Sequence, residues 1–92
     1  MYAPLPRHVA VSPEVLWQAL DTQCVLLNLG TEHYFSLNDI GTRMWLLLDR
    51  HGDVAAVVEQ LLTEYEVDEP TLRRDLADLI CRLHEAELVT VR

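Results

Sequence analysis

Basic residues are scarce in this chain: seven stand against fifteen acidic ones, for a net charge of −8. A protein so charged repels a phosphate backbone instead of displacing its counterions, which disfavours nucleic acid as a partner. Glycine is scarcer still. Its three copies, at 30, 41 and 52, are too few and too widely spaced for a loop that cradles phosphate. Serine occurs only at 12 and 36, and neither copy sits in a glycine-flanked nucleophile elbow. No apolar run approaches the roughly 18 to 20 residues that cross a bilayer, so no membrane segment is expected. Residues Met1 to Arg7 lack the basic start and continuous apolar core of a secretory signal, which points to the cytoplasm.

Cysteine is limited to Cys24, in a strand-like run, and Cys81, in a helical one. A lone pair in a cytoplasmic chain reads as two buried, reduced thiols. Cys81 and His84 are the one pair with metal-like spacing, and two ligands do not make a zinc site. The carboxylates gather at helix starts and on polar helix faces, where capping and solvation account for them. No catalytic residue, metal or cofactor is therefore expected.

What is present suits a small binding module. Ninety-two residues, half of them apolar, support one domain with a modest core and leave little room for a deep enclosed active site. Residues 1–7 hold two prolines and no periodicity, and read as an extended lead-in to a domain over 8–92. His8 to Ser12 alternates enough for a short strand, and Pro13 interrupts it. Glu14 to Leu20 resumes an apolar stretch; together the two read as one broken edge strand. Asp21-Thr22 signals a turn, and Cys24 to Leu29 is a nearly continuous apolar run, hence a central strand. Gly30-Thr31-Glu32 makes a hairpin, with Gly30 available for a positive φ, and His33 to Leu37 returns. On that strand Phe35 and Leu37 share the face assigned to the core, opposite Tyr34 and Ser36.

The rest is helical in pattern. Asn38 caps a helix whose Ile40, Met44, Trp45, Leu47 and Leu48 form one stripe, ended by Gly52. Asp53 caps a second, with Val54, Val57, Val58, Leu61, Leu62 and Tyr65 in helical register. Asp68-Glu69-Pro70 starts a third, whose Leu72, Leu76, Leu79, Ile80 and Leu83 run to about Ala86. Leu88 to Val91 can be extended. The expected fold is α+β and winged-helix-like: a three-stranded antiparallel sheet followed by three helices. The strand His33 to Leu37 ends that sheet, so its outer row of N–H and C=O groups is open to an extended peptide. The plainer reading is that Tyr34 and Phe35 only pack.

The succession Cys24-Val25-Leu26-Leu27-Asn28-Leu29, then His33-Tyr34-Phe35-Ser36-Leu37-Asn38, Ile40-Gly41 and Met44 to Asp49 resembles PqqD-like proteins. Val54 to Tyr65, Val67-Asp68 and Leu83 to Val89 fit the rest of that family, so the likeness covers about residues 8 to 91. The resemblance implies a recognition element for ribosomally made, modified peptides, which binds the leader of a precursor as an added strand between its third strand and third helix. Carried onto this chain, the peptide-binding residues are His33, Tyr34, Phe35, Ser36 and Leu37 on the strand, with Leu72, Asp75, Leu76 and Leu79 on the helix. A free-standing acidic domain looks most like the leader-binding protein of a lasso-peptide pathway, with a leader protease and an ATP-dependent cyclase as partners. Within the family the alternative is the pyrroloquinoline quinone pathway, with a radical enzyme. A winged-helix transcription regulator is a further reading, against which the third helix sets Arg73, Arg74 and Arg82 among Asp75, Asp78 and Glu85. A small enzyme has the least in its favour.

Overall fold

The computed structural model describes residues 5–21 and 23–92. Residues 1–4 of the expected lead-in and Thr22 of the expected turn lie outside the described residues. In chain order the elements are β1 Val9–Val11, β2 Val15–Leu20, β3 Gln23–Asn28, β4 His33–Leu37, α1 Asp39–His51, α2 Val54–Glu64, α3 Glu69–Glu85 and β5 Val89–Val91. The antiparallel sheet β2-β3-β4 precedes three helices, as the sequence predicts. A separate two-stranded ribbon joins β1 to β5.

That ribbon corrects the reading of residues 8 to 20 as one broken strand. Ser12 donates its N–H to Leu88 O and its carbonyl accepts from Val15, while Pro13, without an N–H, cannot continue a ladder. The chain turns there. Val9 then faces Val91 in one sheet, whereas Val15 faces Asn28 in the other. The described end of the lead-in is tied to this ribbon, because Arg7 exchanges hydrogen bonds with Arg92 and Val54 and Leu5 packs on the core.

Each helix begins where a side-chain oxygen accepts from an otherwise orphaned amide. Asn38 Oδ1 takes Gly41 N–H at 2.9 Å, Asp53 takes Ala55 N–H at 3.1 Å, and Asp68 takes Thr71 N–H at 3.1 Å. Pro70 fits the first turn of α3. Gly52 closes α1 at φ 70°, a left-handed conformation that side chains resist, and returns its N–H to Leu48 O. α2 ends at Glu64, one residue short of Tyr65, which swings outward instead of joining the apolar stripe. Ile40, also counted on a core stripe, is exposed at the first turn of α1.

The sheet packs one face against these helices. Register pairs Cys24 with Leu37 and Leu26 with Phe35, so those residues share the core side with Trp17. Trp45 and the α3 residues Leu72, Leu76 and Leu83 are sealed among them. Trp17 meets Trp45 edge to face, 6.1 Å between ring centroids. The opposite face carries Leu16, Leu20, Val25 and Tyr34, all exposed.

Two polar ties hold the layers. Asn28, 5% exposed, donates Nδ2–H to Glu87 O at 2.8 Å, while its Oδ1 accepts from Gly30 and Thr31 amides. The hairpin's left-handed residue is consequently Glu32, φ 63°, and not Gly30, because the Asn28 side chain already turns the chain at Gly30 and Thr31. Arg43 of α1 grips Glu64 of α2 in a two-pronged pair of 2.7 and 2.6 Å, with Gln60 adding a third bond. These bonds hold the Glu64 carboxyl down to about 2, from an ordinary 4.5.

A depressed carboxyl stabilises the fold above its unfolded pKa, and that contribution disappears as pH falls through the folded value. The difference in urea midpoint between wild type and Glu64→Gln should therefore be full above pH 4.5 and close toward pH 2. At Gly52, a Cβ would stand 2.6 Å from His8 Nε2 on a left-handed backbone. Gly52→Ala should lower unfolding free energy by about 1 to 2 kcal/mol, measured by urea titration.

Candidate functional site

Strand order leaves β4 paired with β3 alone among the described residues. In an antiparallel ladder alternate residues turn both N–H and C=O outward, so β4 offers a row of unpaired donors and acceptors on its open side. Beside that row lies a groove of about 390 Å³, lined by residues of three elements. β4 contributes Ser36 and Leu37, and the first turns of α1 contribute Ile40, Gly41 and Met44. α3 supplies Asp75, Asp78, Leu79 and Arg82. A tight strand-to-helix junction at Asn38 brings α1 across the end of β4 and closes the groove there.

A larger hollow of about 660 Å³ lies elsewhere, under the β3–β4 hairpin, between Ser12 to Glu14 and the α3–β5 connection. It touches no residue of β4; Val89 and Thr90 of β5 line it instead. β2 is the other outer strand of the sheet, and none of Val15 to Leu20 lines either hollow. Of the two outer strands of that sheet, β4 is the one that lines a hollow.

The expected site residues fall into two groups. Ser36, Leu37, Asp75 and Leu79 line the groove. Phe35 is half-buried at its side, with the Arg82 guanidinium 5.8 Å from the ring centroid, and His33 and Tyr34 are exposed on the strand. Leu72 and Leu76 are 1% and 0% exposed and are absent from the lining; they belong to the core and present no area to a ligand. The groove also takes Ile40, Met44, Asp78 and Arg82, which the sequence reading does not name as site residues. Asp78 and Arg82 stand three and seven residues after Asp75, on the same helix face, and that spacing was the available signal.

The groove's charge is uneven. Asp75 and Asp78 edge its Leu37 end, and Arg82 leans toward Phe35 with only a 3.9 Å contact to Asp78. The cysteines are not alike either. Cys24 is buried, which pushes its thiol up, whereas Cys81 is exposed and so departs from expectation. Position 81 falls between the core-facing Ile80 and Leu83, toward solvent. There its Sγ lies 3.3 Å from Glu85 Oε1, and that hydrogen bond, ahead of burial and nearby acidic charge, pushes the thiol up. No group of three or more His, Cys, Asp or Glu is placed to hold a metal ion among the described residues. No helix among them is long and apolar enough to cross a membrane.

A three-stranded sheet backed by three helices, with an open strand edge beside a shallow groove, defines a small winged-helix-like domain of the kind that can take an extended chain as an added strand. The chain belongs to the PqqD family, described as coenzyme PQQ synthesis protein D, which matches residues 23–89. It is similar to the structure of TbiB1 in complex with the TbiA(beta) leader peptide: 38% identity over 87% of this chain and 93% of that one, with a TM-score of 0.83. It is also similar to a lasso peptide synthetase B1 complexed with the leader peptide, at 29% identity, 90% and 98% coverage and a TM-score of 0.79. No curated protein matches the chain.

The exposed and buried thiols should be separable by reagent. A disulfide-exchange dye should titrate one thiol in the native protein, Cys81, and two in denaturant; Cys81→Ser should leave none reactive until unfolding.

Proposed function

We propose that this protein is a non-catalytic leader-peptide-binding domain of lasso-peptide biosynthesis. It captures the leader of a ribosomal precursor in the cytoplasm and delivers it to a leader protease and an ATP-dependent cyclase. The leader adds as a strand along Tyr34, Phe35 and Ser36 and settles its alternate side chains in the groove between β4 and α3. The observation that carries this reading is the coincidence of an unpaired edge with a groove, in a chain 38% identical to a protein solved with a leader peptide. The family's own description favours a second destination, the pyrroloquinoline quinone pathway, where the same docking would serve a radical enzyme.

Backbone pairing supplies a sequence-blind part of the affinity. Each added hydrogen bond contributes about 0.5 to 1.5 kcal/mol net, and ordering a flexible peptide offsets much of that sum. The groove must therefore provide the margin and the selectivity, through Leu37, Ile40 and Leu79 at its floor and mouth.

The test reads backbone pairing from the ligand side. Labelled TbiA(beta) leader peptide is titrated against the protein, followed by versions N-methylated at single amides. Methylation at alternate positions of one stretch should weaken binding by roughly tenfold or more, with the intervening positions tolerated. Ser36→Pro should weaken it comparably while circular dichroism stays native. Affinity indifferent to every methylation would exclude strand addition.

A further inference from the structure

We infer that the peptide held in this groove carries a lysine or arginine where it passes the Leu37 end of β4, its stem on the apolar floor and its cation between Asp75 and Asp78. The inference rests on the docking mode proposed above and specifies the chemistry of what docks.

The floor and the rim at that end ask for different things. Leu37, Met44 and Leu79 are buried beneath it, and Ile40 stands exposed at its mouth, so the lower part takes aliphatic area. The rim on α3 is two carboxylates. A side chain with a long apolar stem and a charged tip satisfies both, which neither an aliphatic nor an acidic side chain does.

The local charges leave those carboxylates undercompensated. Asp75 has no ion-pair partner within 4 Å among the described residues, and Asp78 has only the 3.9 Å contact to Arg82. Arg82 itself lies toward Phe35, one helical turn further along the groove. Of the neighbouring cations, Arg73 pairs with Glu69 at 2.8 Å and Arg43 with Glu64, while Arg74 makes no ion pair within 4 Å among the described residues, with either aspartate or elsewhere.

The start of α1 also borders this end, and a helix N-terminus ordinarily favours an anion. Here three of its amides are already taken: Ile40 N–H by Asp39 Oδ1, Gly41 N–H by Asn38 Oδ1, and Thr42 N–H by Asn38 O. Asp39 adds a further negative charge. What remains to attract a ligand charge is acidic, and the net charge of −8 steers a basic peptide in the same direction.

Selection from a display library of short random peptides, on the immobilised protein, tests this. Peptides retained by wild type should align on one position that is lysine or arginine; selection on Asp75→Asn/Asp78→Asn, two exposed sites whose change should leave circular dichroism native, should lose that preference. For a retained peptide, replacing the basic residue by methionine keeps the stem and removes the charge. That replacement should weaken binding to wild type about fivefold at low salt, less at high salt, and leave binding to the double variant unchanged. Retained peptides without a basic position, or with one that persists on the double variant, would overturn the inference and leave strand addition standing. Failure to retain any peptide whose binding N-methylation weakens would remove the docking mode, and the inference with it.

Discussion

The geometry of the open edge depends on one buried amide. Asn28 ends β3, and a polar group so enclosed costs free energy unless each of its atoms finds a partner. It finds them in two directions, in the hairpin amides of Gly30 and Thr31 and in the Glu87 carbonyl just after α3. One side chain thereby sets the turn that aligns β4 with β3 and fastens the sheet to the end of the helix that forms the opposite wall of the groove. A slip of one residue in that turn would move Phe35 and Leu37 to the solvent side and Tyr34 and Ser36 to the core.

With register fixed, the open side of β4 follows from where the other strands pair among the described residues. After Leu37 the chain turns directly into α1, and the last strand, β5, pairs with β1 in a separate ribbon. β4 carries neither proline nor a charged residue of the kind that usually blunts an exposed edge. The groove runs beside that edge. Its polar side chains are two aspartates, a serine, an asparagine and an arginine spread along its walls.

Much of this was legible in the sequence. The helices announced themselves because capping is local: Asn38, Asp53 and Asp68 each bond within three residues, and the apolar stripes followed at helical spacing. The hairpin and the core face of β4 were legible for the same reason, since parity alone separates Phe35 from Tyr34. The ribbon was not, because it pairs residues from opposite ends of the chain and nothing local marks Val9 as a partner for Val91. On α3, hydrophobicity drew attention to Leu72 and Leu76, which the core consumes completely. The groove instead takes residues at the margin of the stripe, Asp78 and Arg82, where a side chain can be half in contact and half in water.

The ribbon has a consequence in time. Pairing Val9 with Val91 closes a loop of nearly the whole chain, at an entropic cost of roughly 4 kcal/mol, whereas the sheet and α1 need only neighbours close in sequence. On the ribosome the strand side of the groove can assemble early, from residues up to His51, whereas α3 and the Glu87 carbonyl that Asn28 holds are made later. The nascent chain thus acquires its open edge before its groove. Until α3 docks, that edge stands without its opposite wall.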